Sequence, residues 1–367
     1  MPDIFAPAFI NKLELRNRFV RSATWEGLAA PDGSCTPEVI KIITELARGG
    51  VGLIISSHTF ISPEGRATGR QLAIHSDVMA KTLEPLTASV HKEIGKIALQ
   101  LAHAGIFAFT METGEPALAV SAVEGFTKSP VREATKEDIA CLVNAFCAAA
   151  LRARDAGFDA VQVHAAHGYL LSQFLSPAFN RRTDEYGGPI ENRARCLLEI
   201  VSGIRKILGR DYPVIVKLNS RDDVENGLTL EDSLRVGRML AGAGVDAIEL
   251  SGGTIISGKL SPSRSKIDSP EKEAYFRDAA EAFKKEVPLP LILVGGIRSF
   301  ATARGLIKNG TADFVSMSRA FICEPGIVKR WKSGDLRPSE CVSDNRCFGP
   351  AMAGRGINCE TKRPRKE

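Results

Sequence analysis

The chain has 367 residues, of which 44% are hydrophobic and 25% charged, and this balance excludes a disordered or low-complexity protein. Its formal net charge is +5, and no basic motif typical of nucleic-acid binding is present, so we expect no nucleic-acid partner. No apolar run reaches the roughly 18 residues of a membrane span, and the first residues do not resemble a signal peptide. We therefore expect a cytoplasmic protein that does not bind a membrane and whose cysteines are reduced.

Eight short apolar segments recur along the chain, and longer segments with helical spacing of apolar residues lie between them. The short segments are continuous apolar runs, which is typical of parallel strands buried on both faces. The predicted strands are Phe19–Ser22, Gly52–Ser56, Ile97–Leu101, Ala160–His164, Val214–Leu218, Ala247–Leu250, Leu291–Val294 and Phe314–Met317. The predicted helices are Pro37–Gly49, Ser76–Ile94, Thr135–Gly157, Glu191–Leu208, Thr229–Gly242, Ala274–Lys285 and Ser299–Lys308.

This alternation of strands and helices predicts the α/β class, and eight repeats favour a closed (β/α)8 TIM barrel. A doubly wound open sheet is the alternative, but the chain lacks the glycine fingerprint for dinucleotides after its first strand. Gly157, Gly244 and Gly310 each end a helix just before a strand and so fix the phase of the repeats. Residues that directly follow a strand then lie at the carboxyl end of the barrel, where barrel enzymes have their active sites.

We expect a single barrel domain over residues 1–335, followed by a short C-terminal extension over residues 336–367. Two long segments, 108–132 and 255–271, follow the third and sixth strands. Their position predicts loops over the mouth of the barrel, where they would shape the substrate site.

Two histidines and a tyrosine lie at the end of the fourth predicted strand. His164, His167 and Tyr169 are close in sequence, and together such side chains can bind one carbonyl oxygen and supply one proton. We therefore take them as the candidate catalytic residues. Zinc binding is the competing interpretation of the His-x-x-His spacing, but it requires a third ligand, and no metal site is predicted.

Other candidate site residues lie at or just after the ends of the fifth, seventh and eighth strands. Gly295 and Gly296 follow the seventh strand, and Ser318 and Arg319 follow the eighth. Barrels commonly bind phosphate with the loops after these two strands. Lys217 ends the fifth apolar strand, where a buried charge requires a partner.

The residues around the histidines form a long motif with fixed spacing. It consists of His164–Tyr169, Leu170–Pro177, Asn180–Gly188 and Glu191–Arg193. This motif resembles the signature of the old yellow enzyme family of FMN-dependent oxidoreductases. Further segments that resemble the family are Leu15–Val20, Gln100–Gly105, Val294–Ile297 and Ser318–Arg319. The resemblance covers roughly residues 4–335 and is closer to the bacterial members than to the yeast members.

The resemblance implies an FMN enzyme that takes hydride from NAD(P)H and reduces the activated C=C bond of a small α,β-unsaturated carbonyl or related compound. His164 and His167 would hydrogen-bond the substrate oxygen, and Tyr169 would protonate the α-carbon. Gln100 would bind the pyrimidine edge of the flavin. Lys217 would face its N1 and O2 atoms, where a cation stabilises the anionic reduced form. Relatives of this kind commonly form homo-oligomers.

The remaining cofactor contacts implied by the resemblance lie at the two ends of the flavin. Ala23 and Thr24 would lie near its reactive edge. Gly295, Gly296, Ser318 and Arg319 would hold the phosphate.

The chain departs from the family pattern at four positions near the implied flavin site. Lys217 stands where members often have Arg, and Ser318 where they usually have Gly. Trp25 falls where Thr or Cys is frequent near the flavin, and His58 where a small residue is common. We expect Trp25 and His58 to alter the redox potential or the shape of the substrate pocket.

The C-terminal cysteines resemble a different part of the wider family. Cys341, Cys347 and Cys359 are spaced like the cluster that holds a [4Fe–4S] centre in larger multidomain relatives, but Asp344 occupies one cysteine position. Three thiolates and one carboxylate make a poor cluster site, so we interpret the group as a degenerate remnant.

Three other functions stay open from the sequence. The first is a flavin-dependent dehydrogenase of an amine or a saturated carbonyl compound. The second is a flavin-binding redox protein without ene-reductase activity. The third is a flavin-free barrel that acts on a phosphosugar, which would explain the phosphate loops alone.

Overall fold

The structure is a computed structural model that describes residues 3–110, 114–123 and 125–362. Its strands are β1 (Ala8–Ile10), β2 (Leu13–Leu15), β3 (Phe19–Arg21), β4 (Leu53–Phe60), β5 (Ile97–Ala102), β6 (Ala117–Ala119), β7 (Val131–Glu133), β8 (Ala160–Ala165), β9 (Val214–Asn219), β10 (Ala247–Ser251), β11 (Leu291–Leu293) and β12 (Phe314–Met317). Its helices are α1 (Pro37–Arg48), α2 (Asp77–Lys92), α3 (Lys136–Asp155), α4 (Leu170–Leu175), α5 (Ile190–Arg193), α6 (Arg195–Leu208), α7 (Leu230–Gly242), α8 (Arg277–Glu286), α9 (Phe300–Lys308), α10 (Arg319–Cys323), α11 (Ile327–Lys332) and α12 (Phe348–Met352).

Eight of the strands form a closed parallel barrel. Their order around it is β3-β4-β5-β8-β9-β10-β11-β12, and β12 pairs with β3 to close the ring. This confirms the predicted (β/α)8 TIM barrel, with each predicted strand at its expected place. Strand β4 is longer than predicted because its pairing with β5 continues to Phe60, past an irregular register between Ile55 and His58.

The predicted helices are present, with small differences at their ends. Helix α3 begins with a capping box, in which the Thr135 side chain accepts from the Asp138 backbone and the Asp138 carboxylate accepts from the Thr135 backbone. Helix α8 begins at Arg277 rather than at Ala274, because Ala274 has a φ of 52°, which a right-handed helix cannot accommodate. The predicted helix over 191–208 is divided into α5 and α6 at Ala194.

The amino-terminal half of the barrel interior is filled by an apolar layer. An antiparallel hairpin of β1 and β2 packs against this layer with Ile10, Leu13 and Leu15. The members of the apolar layer are Val20, Leu53, Ile55, Ala98, Ala160, Ile215, Ala247, Ile292 and Phe314. All of them are essentially fully buried, so this end of the barrel is a packed core.

On six of the strands, the residue two positions after the apolar-layer residue is polar, so a polar layer follows the apolar layer in the barrel interior. Side chains alternate along a strand, so these residues point to the same side as the apolar ones before them. The polar layer consists of Ser22, Gln100, Gln162, Lys217, Glu249 and Ser316, all buried. It lies on the side of the apolar layer that faces the carboxyl end of the strands.

The C-terminal segment packs against loops at the carboxyl end of the barrel. The Ser339 backbone N–H donates to Arg298 O at 2.7 Å, and Ile357 N–H donates to Glu26 O at 2.7 Å. Ser343 O accepts from the Lys266 backbone at 3.1 Å. The segment therefore covers part of the face on which the predicted site lies.

Within the described part of the chain, no helix combines the length and the apolar character needed to cross a membrane.

Candidate active site

The three candidate catalytic side chains form one cluster at the end of β8. The rings of His164 and His167 lie 5.2 Å apart between centroids, and those of His164 and Tyr169 lie 5.1 Å apart, in both cases nearly perpendicular. His58 of β4 stacks on the other side of Tyr169, at 5.6 Å and an interplanar angle of 26°. The structure thus brings together the predicted trio and adds a third histidine to it.

His167 is held in an unusual backbone conformation. Its φ is +66°, a region that a residue with a side chain occupies only when its surroundings enforce it. The Asn219 side chain accepts from its backbone N–H at 3.1 Å, and Thr254 forms an isolated β-bridge with it. The Ser251 hydroxyl lies 2.8 Å from its Nε2 atom. Residues from β9 and β10 therefore fix the direction of the imidazole.

Burial sets the protonation states of the cluster. It lowers the pKa of His164 and of His167 well below the usual 6.5, and the neighbouring Lys217 and His58 act in the same direction. It also raises the pKa of Tyr169 to about 12. At neutral pH the site therefore contains neutral imidazoles and a phenol that keeps its proton, which suits hydrogen bonding to an oxygen and donation of one proton.

A cavity of about 400 Å³ opens beside this cluster. Its wall includes His167, Tyr169 and Lys217. Of the other predicted site residues, Ala23, Thr24 and Ser318 also line it. Trp25, Ile255 and Phe348 add an apolar part to the wall. A cavity with an apolar part and a few convergent polar groups is typical of a cofactor and substrate site.

A second cavity shares part of this wall and extends to the loops after β11 and β12. The predicted phosphate residues Gly296, Ser318 and Arg319 line it. Gly296 has a φ of +69°, and a Cβ atom there would lie 2.8 Å from the Tyr275 ring. The backbone runs so close to Tyr275 that only glycine fits at position 296. Gly295 directly precedes this residue.

Arg319 and Ser318 each have partners within the protein. The Arg319 guanidinium donates to Arg264 O at 2.8 Å and to the Asn345 side chain at 2.7 Å. The Ser318 hydroxyl lies 2.7 Å from the Thr24 hydroxyl, which links the loop after the last barrel strand to the loop after the first. Arg319 thus anchors the C-terminal segment at the rim of the second cavity.

Lys217 reaches the cavity from the polar layer. Its ammonium donates to the Ser22 hydroxyl at 2.8 Å and lies 3.2 Å from a Glu249 carboxylate oxygen. An ammonium has three N–H groups, so one remains for a ligand in the cavity that Lys217 lines.

Gln100 and His164 lie deeper than the other predicted residues. Among the described residues, neither lines one of the two cavities. The Gln100 side chain donates to the Gln162 side chain at 2.7 Å, within the polar layer. His164 is 3% exposed, and its Nδ1 atom is buried without a partner among the described residues.

These residues fit FMN in their chemistry. The larger cavity is lined by the Lys217 cation and by hydroxyl side chains, and the smaller cavity is lined by the backbone at Gly296. The two cavities share part of their wall. The buried and unpaired His164 nitrogen is the kind of group that a bound ligand satisfies.

Several residues of the site were not predicted from the sequence. They are Ser22, Gln162, Asn219, Glu249, Ser251 and Phe348. A glutamate inside the apolar run Ala-Ile-Glu-Leu was a usable signal, because a charge in a buried strand needs partners. Phe348 gave no local signal, since only the packing of the C-terminal segment brings it to the cavity.

The C-terminal cysteines carry free thiols, as do the other cysteines of the described chain. Among the described residues, no group of three or more His, Cys, Asp or Glu side chains is arranged to hold a metal ion. Burial and the nearby Cys341 raise the pKa of Cys347 to about 11, so this thiol keeps its proton at neutral pH.

Comparison with known proteins agrees with this geometry. The model of the NADH:flavin oxidoreductase / NADH oxidase family matches residues 3–337. An NADH oxidase of Thermoanaerobacter brockii is 37% identical over 357 residues, which cover 95% of this chain and 54% of that protein. An NADPH dehydrogenase of Bacillus subtilis is 34% identical over 323 residues, covering 88% of this chain and 92% of that protein. The chain thus spans about half the length of the first relative and most of the second.

Solved structures give the same result. A 2-naphthoyl-CoA reductase complex superimposes with a TM-score of 0.90 at 27% identity, over 97% of this chain and 56% of that one. An old yellow enzyme homologue from Zymomonas mobilis superimposes with a TM-score of 0.78 at 26% identity, over 94% and 99%. The resemblance seen in the sequence is therefore confirmed: the chain belongs to the NADH:flavin oxidoreductase / NADH oxidase family, that of old yellow enzyme, with FMN as cofactor and NAD(P)H as hydride donor.

Proposed function

We propose that this protein is an ene-reductase, which reduces the activated C=C bond of a small α,β-unsaturated carbonyl or related compound. The observation that carries this proposal is the pairing of neutral imidazoles with a protonated phenol at one cavity. His167 and Tyr169 line the cavity, and His164 contacts both of their rings. A carbonyl oxygen needs hydrogen-bond donors, and the α-carbon needs a proton, so the cluster supplies what the reaction requires.

In this proposal His164 and His167 bind the substrate oxygen and draw electron density toward it. Ser251 and Asn219 hold His167 in place, so that little reorganisation is needed when the substrate binds. Tyr169 gives its proton to the α-carbon. Because the pKa of Tyr169 is raised to about 12, the phenol stays protonated throughout the physiological pH range.

Bound FMN supplies the hydride that NAD(P)H has delivered to it. The residues that would hold FMN are Lys217 at the ring, with Ala23 and Thr24 nearby, and Gly295, Gly296, Ser318 and Arg319 at the phosphate. Gln100 would bind the pyrimidine edge of the flavin from the polar layer, in which its side chain donates to Gln162.

We further propose that residues 336–367 are an extension of the barrel domain formed by residues 1–335, and that the described part of this extension, up to residue 362, completes the site. Phe348 lines the larger cavity, and Cys341 and Ser343 line the smaller one. Trp25 and Phe348 give the entrance an apolar character, which favours an apolar body on the substrate.

The test is product analysis with the FMN-loaded protein and NADPH. We expect 2-cyclohexen-1-one to be converted to cyclohexanone with one NADPH consumed per product. Cyclohexanone and a primary amine such as histamine serve as matched substrates for the dehydrogenase alternative, with an artificial electron acceptor. Oxidation of either one without any reduction of the enone would replace the ene-reductase assignment with the dehydrogenase.

A further inference from the structure

A carboxylate that the proposed reaction does not use lies in the centre of the barrel. Glu249 is in β10, is fully buried, and belongs to the polar layer, of which Ser22 and Lys217 line the larger cavity. Taking a carboxylate out of water is costly, and a buried ion pair often stabilises a fold no better than apolar packing would. The position of Glu249 therefore suggests a role in the chemistry of the site.

Both oxygens of this carboxylate accept hydrogen bonds from neighbouring side chains. One accepts from the Ser316 hydroxyl at 2.7 Å. The other accepts from the Gln162 side chain at 2.9 Å and lies 3.2 Å from the Lys217 ammonium. Burial alone raises the pKa of Glu249, but Lys217 and these hydrogen bonds outweigh it and hold the pKa below its usual value. The carboxylate is therefore charged at neutral pH.

The same network joins two residues implied to contact the flavin. Gln162, which donates to Glu249, accepts from Gln100 at 2.7 Å. Lys217 is fixed from two sides, by Glu249 and by the Ser22 hydroxyl at 2.8 Å. Among the described residues, Glu249 is thus the one anion that contacts Lys217, and together with Ser22 it fixes the position of the ammonium.

We propose that Glu249 is a positioning residue that orients Lys217 toward FMN and offsets part of its charge, and so keeps the reduction potential of the bound FMN low. Reduced FMN gains negative charge, which an unpaired ammonium would stabilise more strongly than an ammonium shared with a carboxylate. A lower potential makes the reduced cofactor a stronger hydride donor. The inference rests on the FMN binding of the proposed function, but not on the identity of the substrate.

The experiment compares the reduction potential of FMN in the loaded wild-type protein and in Glu249→Gln, by anaerobic equilibration with a reference dye. Glutamine keeps the size and a hydrogen-bond acceptor but removes the charge. We expect the equilibrium between oxidised and reduced FMN to shift at least tenfold toward the reduced form, which is about 30 mV for this two-electron couple. The dissociation constant of the FMN–sulfite adduct should be lower in Glu249→Gln than in the wild type, because the uncompensated ammonium also stabilises the negative charge of the adduct.

Two further variants separate this role from a merely structural one. Glu249→Asp keeps the charge but moves it away from Lys217. The reduction potential of FMN in this variant should therefore lie between those of the wild type and Glu249→Gln. In the background of Lys217→Met, the change Glu249→Gln should not raise the potential, because the glutamate acts through the ammonium. If Glu249→Gln does not retain FMN, the test is whether the reduction potential of FMN is higher in Glu249→Asp than in the wild type.

The inference would be overturned by an unchanged or lowered potential in Glu249→Gln, or by a rise in the potential when the same change is made in the Lys217→Met background. These outcomes are distinct from failure of the proposed function, which would appear as a wild-type protein that binds no FMN or reduces no enone. A wild-type protein that reduces enones with a potential insensitive to Glu249 would remove only this inference.

Discussion

The two halves of the barrel interior are built by the same strands but differ in what they do. In the apolar layer, Ile215 and Ala247 are packed against the amino-terminal hairpin. Two residues further along the same strands, Lys217 and Glu249 are charged, buried and hydrogen-bonded. One half therefore provides burial of apolar surface, and the other provides fixed charge at the cavity.

This difference shows how a barrel separates stability from chemistry. Substitutions in the apolar layer should change the free energy of unfolding, and substitutions near the cavity should change the reaction. Because the two layers are only two residues apart on each strand, the separation can be tested with neighbouring side chains.

The largest effect is expected for Tyr169→Phe. Loss of the proton donor should slow enone turnover by about 10²–10⁴-fold, while reduction of bound FMN by NADPH stays nearly the same. Rapid-mixing spectroscopy measures both half-reactions separately. Tyr212→Phe, which removes a hydroxyl that bonds Phe158 O far from the cavity, is the matched control. Unchanged enone turnover in Tyr169→Phe would show that another group donates the proton.

The second effect should appear in stability rather than in turnover. Ile215→Ala leaves a cavity in the apolar layer and should lower the free energy of unfolding by about 2–5 kcal/mol. Ile207→Ala, at a half-exposed site in α6, should change it by less than about 0.5 kcal/mol. Chemical denaturation of the FMN-free proteins gives these values. An equal loss in both variants would contradict the assignment of the layer as the core.

The smallest effect concerns pH. Burial lowers the pKa of His58 from 6.5 to about 4, so between these values the unfolded chain binds a proton that the folded chain does not. The stability from this group is complete above pH 6.5 and is lost as the pH falls toward 4, by about 1–2 kcal/mol between pH 7 and pH 5. His58→Asn should flatten this part of the stability curve. A curve with the same slope in the variant would exclude His58 as a buried neutral imidazole.

Much of the fold could be predicted because parallel barrel strands are continuous apolar runs at regular spacing. The trio of His164, His167 and Tyr169 was accessible for the same reason, since residues after a strand lie at the carboxyl end. The partners of His167 were not, because Ser251 and Asn219 come from other strands and their approach depends on the register of the closed barrel. Phe348 reaches the cavity only through packing of the C-terminal segment.

An absorption spectrum of the FMN-loaded protein, recorded under anaerobic conditions after addition of NADPH and again after addition of 2-cyclohexen-1-one, tests the ene-reductase assignment. We predict flavin bands that bleach with NADPH and return in full when the enone is added. A protein that does not take up FMN, or one whose bleached flavin is not reoxidised by the enone, would contradict the assignment of the carboxyl end of this barrel as an ene-reductase site.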